Sequence, residues 1–276
     1  MTVENHRPLV SVVVTTYNAA GLIRDALDSV LSQTARDFEV IVVDDASLDG
    51  TCQIVQDSLD GRCRYRVERL PANSGGPAHP RNVGVAMSQG RWIALLDSDD
   101  IWHPQKLEIE LEVAARQGAR FVSTEKRWFR RPEETRRWAS LDLRRFNVLP
   151  RAVTHSQLCR KNFLCTSSVM AERDLFIRHP FPESRHYRAV EDYRCWLDIH
   201  RESVASHPQI QAPLVFYRVS GTSLSASKAS MVCKHWRLYR DYYHDRRWPN
   251  SLALASMATY AFSSIYRQFK YRRSRC

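Results

Sequence analysis

The first 120 residues alternate between short apolar runs and segments with helical spacing of apolar residues, and this alternation restricts the fold more than any other feature. Four buried strands are predicted, at residues 9–14, 39–43, 64–70 and 91–96. Between the first two, Ile23, Ala26 and Val30 share one face of a predicted helix. Strands that alternate with helices predict an α/β fold, a mainly parallel sheet flanked by helices on both faces.

The second half of the chain has weaker patterns. Further strands are predicted at residues 119–124, 164–171 and 212–219. Further helices are predicted at residues 188–200, 231–243 and 251–269. We therefore expect one domain over residues 8–226, with halves 8–120 and 121–226, followed by a C-terminal helical extension over residues 227–276 that is a candidate for membrane association.

Positive charge is abundant and unevenly placed in this chain of 276 residues, whose formal net charge is +11. Such an excess favours anionic partners: nucleic acid, anionic lipid or phosphorylated substrates. One arginine cluster, at residues 127–145, also contains Trp128, Phe129 and Trp138. We interpret it as an acceptor-binding or membrane-facing segment, or as an ordinary surface helix pair. A second basic cluster, at residues 267–275, follows apolar helix residues, which suits either an anionic membrane surface or a solvated tail.

The cysteines and the start of the chain bear on localisation. None of the seven cysteines forms a CxxC pair, so a zinc ribbon or a disulfide framework is not indicated, and reduced thiols are expected. Residues 1–8 are polar and lack the pattern of a signal peptide. No run reaches the roughly 20 apolar residues of a membrane span. We expect a cytoplasmic protein, with peripheral attachment to the inner face of the cell membrane as a variant of that location.

Polar or acidic side chains follow three of the predicted strands. They are Thr15 to Tyr17, Asp44 with Asp45, and Asp97 to Asp99. In open α/β sheets ligands bind at the carboxyl ends of the strands, so these side chains are expected to share one edge. Carboxylate oxygens suit hard cations such as Mg²⁺ or Mn²⁺, and such an ion suits a diphosphate. One acidic strand end alone would be an ordinary helix cap or turn.

Two further patterns limit the chemistry. The chain contains neither GxGxxG nor GxxxxGK[ST], so a dinucleotide fingerprint and a P-loop are not supported. No common nucleic-acid-binding motif is visible, and acidic strand ends would repel a phosphate backbone. Glu191 and Asp192 open a predicted helix, where they are either a charge complement to the helix N-terminus or a source of a general base.

Several motifs occur together in one order. They are residues 10–18 (VSVVVTTYN), 42–47 (VVDDAS), 49–51 (DGT), 82–84 (NVG), 90–100 (GRWIALLDSDD), 166–168 (TSS), 191–193 (EDY), 213–218 (PLVFYR) and 223–225 (SLS). On these motifs the chain resembles family 2 glycosyltransferases of the bacterial surface-polysaccharide type, which have the GT-A fold. The resemblance covers about residues 8–226, and its first half is the more specific.

The resemblance implies roles for individual residues. The nucleotide-sugar would be bound by Thr15, Tyr17, Asn18, Asp45, Arg81, Asp97, Arg218 and Ser223. The metal, Mn²⁺ or Mg²⁺, would be bound by Asp97 and Asp99, and Asp99 would be the more direct ligand. Asp192 would be the catalytic base. Relatives often carry His where this chain has Ser220, which leaves open whether a further side chain binds the metal.

The activity implied is inverting, metal-dependent transfer of a sugar from a nucleotide-diphosphate donor, with UDP favoured. The acceptor would be a hydroxyl of a glycan or of a polyprenyl-diphosphate-linked oligosaccharide. Two alternatives are a catalytically inactive relative that still binds sugar nucleotides, and a sugar nucleotidyltransferase. The second is disfavoured because Thr15 to Asn18 stand where a glycine-rich loop would be expected. A nucleic-acid-binding protein is the non-enzymatic alternative, and we expect no nucleic-acid partner.

Overall fold

The computed structural model describes residues 7–143, 149–219, 228–244 and 253–258. The strands are β1 (Val10–Thr16), β2 (Phe38–Asp44), β3 (Tyr65–Arg69), β4 (Trp92–Asp97), β5 (Ile101–Trp102), β6 (Phe121–Phe129), β7 (Pro150–Thr154), β8 (Val169–Glu172) and β9 (Ser206–Arg218). The helices are α1 (Ile23–Leu31), α2 (Thr51–Leu59), α3 (Ala78–Met87), α4 (Lys106–Gln117), α5 (Glu133–Ala139), α6 (His155–Arg160), α7 (Arg173–Arg178), α8 (Glu191–Glu202) and α9 (Lys228–His244).

The strands of this part of the chain form one sheet in the order β3-β2-β1-β4-β8-β6-β9-β5, and β7 pairs with β9. β3, β2, β1 and β4 are parallel to one another. The register of β1 places Thr16 beside Asp44 and Thr15 beside Asp97. The predicted α/β sheet is confirmed, and its first half brings three polar strand ends to one edge.

The second half of the sheet is mixed, because β8 runs antiparallel to both β4 and β6. The strand predicted at residues 164–171 was partly wrong, since β8 begins only at Val169. Residues Thr166–Ser168 form a 3₁₀ turn instead. In this turn Ser168 Oγ donates to Cys165 O at 2.7 Å, while Ser167 Oγ donates to the Asp100 carboxylate at 2.6 Å. These side-chain hydrogen bonds hold the stretch as a turn against the end of β4.

Some helix limits also differ from the predicted ones. The helix expected from residue 188 begins at Glu191, because Ala189 has a φ of 73°, which is incompatible with a right-handed helix. α3 begins at Ala78 and has Pro80 in its first turn, where proline is tolerated. The short elements β5, β7, α5, α6 and α7 were not predicted.

Apolar side chains fill both faces of the sheet. One cluster packs under α1, α2 and α4, and the other under α3, α6, α7, α8 and α9. Gly84 of α3 lies so close to β1 that a Cβ there would stand 2.4 Å from Val13 Cγ1. This close approach sets the position of α3, and with it the position of Arg81 in the first turn of that helix.

The C-terminal helix α9 packs against the rest of the protein. Leu238, Tyr239 and Tyr242 are fully buried, and Tyr239 shares a 2.9 Å hydrogen bond with Tyr193 of α8. Beyond α9 a helical stretch is described at residues 253–258. The basic cluster at residues 267–275 and the boundary predicted at residue 227 lie outside the described residues. None of the helices described is both long and apolar enough to cross a bilayer.

Candidate active site

The loops that follow β1 and β2 are tied to each other. Asn18, with a φ of 47°, receives a hydrogen bond on its side chain from Leu48 N and donates its backbone N–H to Ser47 Oγ, both at 2.8 Å. Ser47 in turn donates to Asp44 through its hydroxyl and its backbone N–H. Asn18, predicted to bind the nucleotide-sugar, is thus one of the residues that join the two loops at this edge.

Asp45 is buried and faces the loop after β3. Its carboxylate accepts hydrogen bonds from Ser74 N at 2.8 Å, Ser74 Oγ at 3.0 Å and Asn73 Nδ2 at 3.1 Å. Thr15 is also buried, whereas the ring of Tyr17 is half exposed at the same edge. The buried carboxylate is therefore held in a fixed orientation, and the exposed ring beside it offers a flat apolar surface.

Arg81 connects the end of β4 to the start of α8. It is 4% exposed, donates through Nη2 to Asp97 Oδ1 at 2.8 Å, and donates through Nη1 to Glu191 Oε1 at 2.9 Å. Burial alone would lower the pKa of Arg81, but the carboxylates of Asp97, Glu191 and Asp192 raise it instead. Its Nε and Glu191 Oε2 are buried and have no hydrogen-bond partner among the described residues. The ion pair therefore still offers one donor and one acceptor atom.

The acidic turn after β4 is held by Arg218 at the end of β9. Arg218 donates through Nε to Asp99 O at 2.8 Å and through its backbone N–H to Asp100 Oδ1 at 3.0 Å. Burial and the nearby Asp97 carboxylate raise the pKa of Asp99 to about 6. The Arg218 guanidinium also pairs with Asp25 of α1 at 3.0 Å. Two carboxylates, Asp97 and Asp99, thus lie close enough to repel each other.

Asp192 is the second residue of α8, next to the Arg81 partner Glu191. Its Oδ1 accepts a hydrogen bond from Tyr193 N at 2.6 Å and its Oδ2 accepts one from Thr166 Oγ1 at 3.2 Å. Burial, and then the charge of Glu191, raise the pKa of Asp192 to about 7, although Arg81 opposes the shift. A carboxyl that titrates near neutral pH is suited to proton transfer.

These contacts bring most of the predicted residues into one crevice. Arg81 links Asp97 to α8, and the 3₁₀ turn links Asp192 to Asp97 because Ser167 Oγ accepts from Asp97 N at 3.1 Å. Asp45 reaches the same region through Ser74, which lines a pocket together with Glu191. Ser220, Ser223 and Ser225 lie outside the described residues.

The carboxylates at the end of β4 suit a hard divalent cation with few protein ligands. Among the described residues, no group of three or more His, Cys, Asp or Glu side chains could hold a metal ion by itself. Mg²⁺ is commonly held by one or two carboxylates, with substrate phosphates and water as its other ligands. The adjacent Asp97 and Asp99 fit that donor set, and their mutual repulsion would be relieved by a cation.

Several residues of the crevice were not predicted as site residues. Glu191, Ser74, Asp25 and Asp100 each bind a predicted residue directly. Glu191 and Asp100 belong to the motifs and could have been found from them. Asp25 and Ser74 leave no comparable signal in the sequence, because their partners come from distant parts of the chain.

Comparison with known proteins places this architecture in a family. The model of the family described as "Glycosyl transferase family 2" matches residues 11–179. Bacillus subtilis TuaG, named as a teichuronic acid biosynthesis glycosyltransferase, is 31% identical over 237 residues, which cover 86% of this chain and 89% of TuaG. Escherichia coli WfgD, named UDP-Glc:alpha-D-GlcNAc-diphosphoundecaprenol beta-1,3-glucosyltransferase, is 28% identical over 240 residues, covering 85% and 86%.

Solved structures show the same fold. S. aureus TarS 1-349 in complex with UDP-GlcNAc superposes with a TM-score of 0.65 at 21% identity, over 83% of this chain and 65% of that one. The mannosyltransferase PcManGT from Pyrobaculum calidifontis, in complex with GDP-Man and Mn²⁺, superposes with a TM-score of 0.61 at 21% identity, over 94% and 70%. The GT-A fold expected from the sequence is confirmed by these likenesses.

Proposed function

Because this chain belongs to glycosyl transferase family 2 and is a glycosyltransferase, we propose that it transfers a sugar, with inversion, from a UDP-sugar to a hydroxyl of a polyprenyl-diphosphate-linked acceptor. The observation that carries the proposal is Arg81, which joins Asp97 at the donor edge to Glu191, the neighbour of Asp192. One buried guanidinium thereby connects Asp97, which would help to bind the donor, to the start of the helix that carries Asp192, the proposed base.

The donor would lie along the strand ends, from Asp45 to Asp99. The half-exposed Tyr17 ring suits a nucleobase, and Asp45 has acceptor oxygens for a base N–H beside Asn73 and Ser74. UDP is favoured because the name of WfgD gives UDP-Glc as its donor. PcManGT, which has the same fold, binds GDP-Man, so a donor screen has to include UDP-sugars and GDP-sugars.

Asp99, with Asp97, would hold Mn²⁺ or Mg²⁺ against the diphosphate. When bound, such an ion neutralises negative charge that develops on the departing diphosphate. Arg81 and Arg218 add fixed positive charge near the same place, and preorganised charge of this kind lowers the barrier to bond cleavage. Arg218 is anchored to Asp25 and Asp99 before any ligand arrives, so it needs little rearrangement.

Asp192 would take the proton from the acceptor hydroxyl. Thr166 and the Tyr193 N–H hold its two oxygens, so the carboxylate keeps one orientation. As the proton moves to Asp192, the acceptor oxygen forms a bond to the anomeric carbon from the face opposite the diphosphate. The bond from that carbon to the diphosphate oxygen breaks, and the electron pair leaves with UDP. One displacement of this kind inverts the anomeric centre.

The acceptor class is proposed from the relatives. The name of WfgD contains a diphosphoundecaprenol-linked sugar, and the name of TuaG refers to teichuronic acid biosynthesis. These names support an acceptor of bacterial surface-polysaccharide synthesis. A basic protein of net charge +11 also suits a phosphate-bearing acceptor at an anionic surface. Cytoplasmic location and peripheral attachment to the membrane stay predictions.

A donor screen tests the proposal. Purified protein would be incubated with UDP-, GDP- and dTDP-sugars in Mn²⁺ or Mg²⁺, with and without a synthetic N-acetylglucosamine diphosphate alkyl ester as acceptor. We expect metal-dependent release of UDP that an acceptor accelerates. Formation of a nucleotide-sugar from a nucleoside triphosphate and a sugar 1-phosphate would instead support the nucleotidyltransferase alternative. Tight UDP-sugar binding without release or transfer would support the inactive relative.

A further inference from the structure

We infer that Trp128, Lys126 and Tyr217 form the subsite for the acceptor, and that this subsite takes a sugar ring carrying a phosphate group. The inference rests on the proposed function, since it names the part of the acceptor that reaches Asp192. Its support is an arrangement of two aromatic rings and a lysine at the ends of β6 and β9.

The three side chains form one platform. Trp128 pairs with Tyr217 across the parallel strands β6 and β9, and their rings meet edge to face with centroids 5.1 Å apart. Lys126, two residues earlier on the same face of β6, places its Nζ 5.0 Å from the Trp128 ring centroid and 4.6 Å from that of Tyr217. The indole is therefore held by its neighbours even though Trp128 is 49% exposed.

The platform borders the catalytic crevice. Arg218, which follows Tyr217, donates its backbone N–H to Asp100 at the end of the acidic turn. The same Asp100 carboxylate accepts hydrogen bonds from Cys165 Sγ at 3.9 Å and from Ser167 Oγ at 2.6 Å. Cys165 directly precedes Thr166, the residue that binds Asp192. The platform is thus connected to the proposed base through Asp100 and the turn Thr166–Ser168.

The chemistry of the platform indicates its ligand. A single exposed tryptophan is ordinary, but this one packs against a tyrosine ring and a lysine and still leaves much of its surface exposed. Sugar rings carry apolar C–H faces that pack on such a surface. Lys126 forms no ion pair with a carboxylate among the described residues, and its ammonium lies over the rings of Trp128 and Tyr217. That ammonium can receive a phosphate beside the stacked sugar.

The residues at the alternate positions of β6, Arg127 and Phe129, contact other side chains. Arg127 lies over the Trp138 ring at 4.6 Å, and Phe129 lies under Arg218, also at 4.6 Å. Phe129 is 2% exposed, so its ring is packed in the interior, whereas Trp138 is partly buried. Of the aromatic residues singled out in the arginine-rich segment, Trp128 therefore offers the most exposed ring to an acceptor.

Steady-state kinetics test the subsite through the acceptor KM. With the N-acetylglucosamine diphosphate alkyl ester as acceptor, Trp128→Ala is expected to raise the acceptor KM by about tenfold, as for the loss of one large apolar contact. Trp128→Phe should recover most of that loss, and the affinity for the UDP-sugar should stay within about twofold of wild type. Trp236→Ala, which alters an exposed tryptophan on α9, is the matched control.

A direct titration is independent of turnover. N-acetylglucosamine 1-phosphate and N-acetylglucosamine would each be titrated into the protein and followed by NMR. We expect Trp128→Ala to weaken both, and Lys126→Gln to weaken only the phosphorylated sugar, with Lys234→Gln as the control. Equal effects of Lys126→Gln on both sugars would overturn the phosphate assignment.

The outcomes separate the two proposals. If wild type releases no nucleotide from any donor, the proposed function fails, while the titration still decides the platform. If wild type transfers sugar and Trp128→Ala has an unchanged acceptor KM, the platform assignment is wrong. Loss of binding to anionic phosphatidylglycerol vesicles in Trp128→Ala, together with an unchanged acceptor KM, would identify the platform as a membrane contact instead.

Discussion

The Arg81 guanidinium donates to the Asp97 carboxylate at 2.8 Å, and this contact fastens the first turn of α3 to the end of β4. The same guanidinium pairs with Glu191, whose side chain is 5% exposed, so the network reaches the helix that carries Asp192. Three elements separated in the chain are therefore positioned by one side chain. Their relative placement should depend on Arg81 more than on any surface charge.

Replacing Arg81 with Met should destabilise the protein by about 3–5 kcal/mol, because Glu191 would be left buried without its cation. The free energy of unfolding would be measured by urea titration at pH 7. Arg91→Met is the control, since Arg91 is largely exposed in its pair with Glu172 and should contribute less than about 1 kcal/mol. Equal losses in the two variants would contradict a structural role for the Arg81 network.

Asp99→Asn should weaken binding of the UDP-sugar in the presence of Mn²⁺ by about tenfold or more, because one carboxylate ligand is lost. In the absence of a divalent ion the two proteins should bind the donor alike. Calorimetric titration with and without Mn²⁺ measures both affinities. Asp57→Asn, a change in an exposed position of α2, serves as the control. A metal response equal to that of wild type would remove Asp99 from the ligand set.

The rate of transfer should rise with pH, be half-maximal near pH 7 and level off above about pH 8. A general base works in its ionised form, and the pKa of Asp192 is raised to about 7 by burial and Glu191. Asp99, with a pKa raised to about 6, must also be ionised to bind a cation. This requirement also makes the rate rise with pH. The profile of kcat against pH between 5.5 and 8.5 checks this. A rate that is flat or falls across that interval would exclude Asp192 as the base.

A buried histidine pair should make the fold sensitive to acid. His200 Nε2 and His207 Nδ1 are 2.6 Å apart, and His207 Nε2 is 2.8 Å from Ser123 Oγ. Burial lowers the pKa of His200 to about 4, so between pH 6.5 and 4 the unfolded chain binds protons that the folded protein does not. Stability contributed by the neutral pair should therefore be lost as the pH falls through this interval.

Urea titrations at several pH values would measure that loss. The double variant His200→Gln with His207→Gln should show a flatter dependence of the unfolding free energy on pH than wild type. Burial raises the pKa of Glu110 to about 7, so Glu110 makes the unfolding free energy rise as the pH falls. This contribution is the same in wild type and in the double variant. His186→Gln, at an exposed position, should leave the dependence unchanged. The same slope in wild type and the double variant would contradict the account.

The fold was predictable where a strand is wholly apolar and where it ends in polar residues. β1, β2 and β4 are nearly continuous runs of buried side chains, so their type and their shared edge followed from the sequence. Residues 164–168 misled the prediction because Leu164 and Cys165 are buried as in a strand, whereas hydrogen bonds from Ser167 and Ser168 form a turn. Side-chain hydrogen bonds of this kind leave no periodic pattern in the sequence.

The site was predictable to the level of its motif residues. Arg81 could be named from the family resemblance, but its double pairing could not, because Asp97 and Glu191 are distant in the chain. The sequence around Lys126 and Trp128 is that of a surface segment. Only the register between β6 and β9 shows that Tyr217 lies beside them. Pairings between distant segments are what a single sequence does not contain.

In the proposed mechanism, Asp192 removes the proton from the acceptor, while donor binding depends on Asp97 and Asp99. The most direct measurement compares kcat for sugar transfer, together with the Kd for the UDP-sugar in Mn²⁺, between wild type and Asp192→Asn. Asp198→Asn, on the same helix, is the control. We predict that Asp192→Asn lowers kcat by about 10²–10⁴-fold and leaves the Kd within about twofold. Transfer by Asp192→Asn at the wild-type rate would contradict this account.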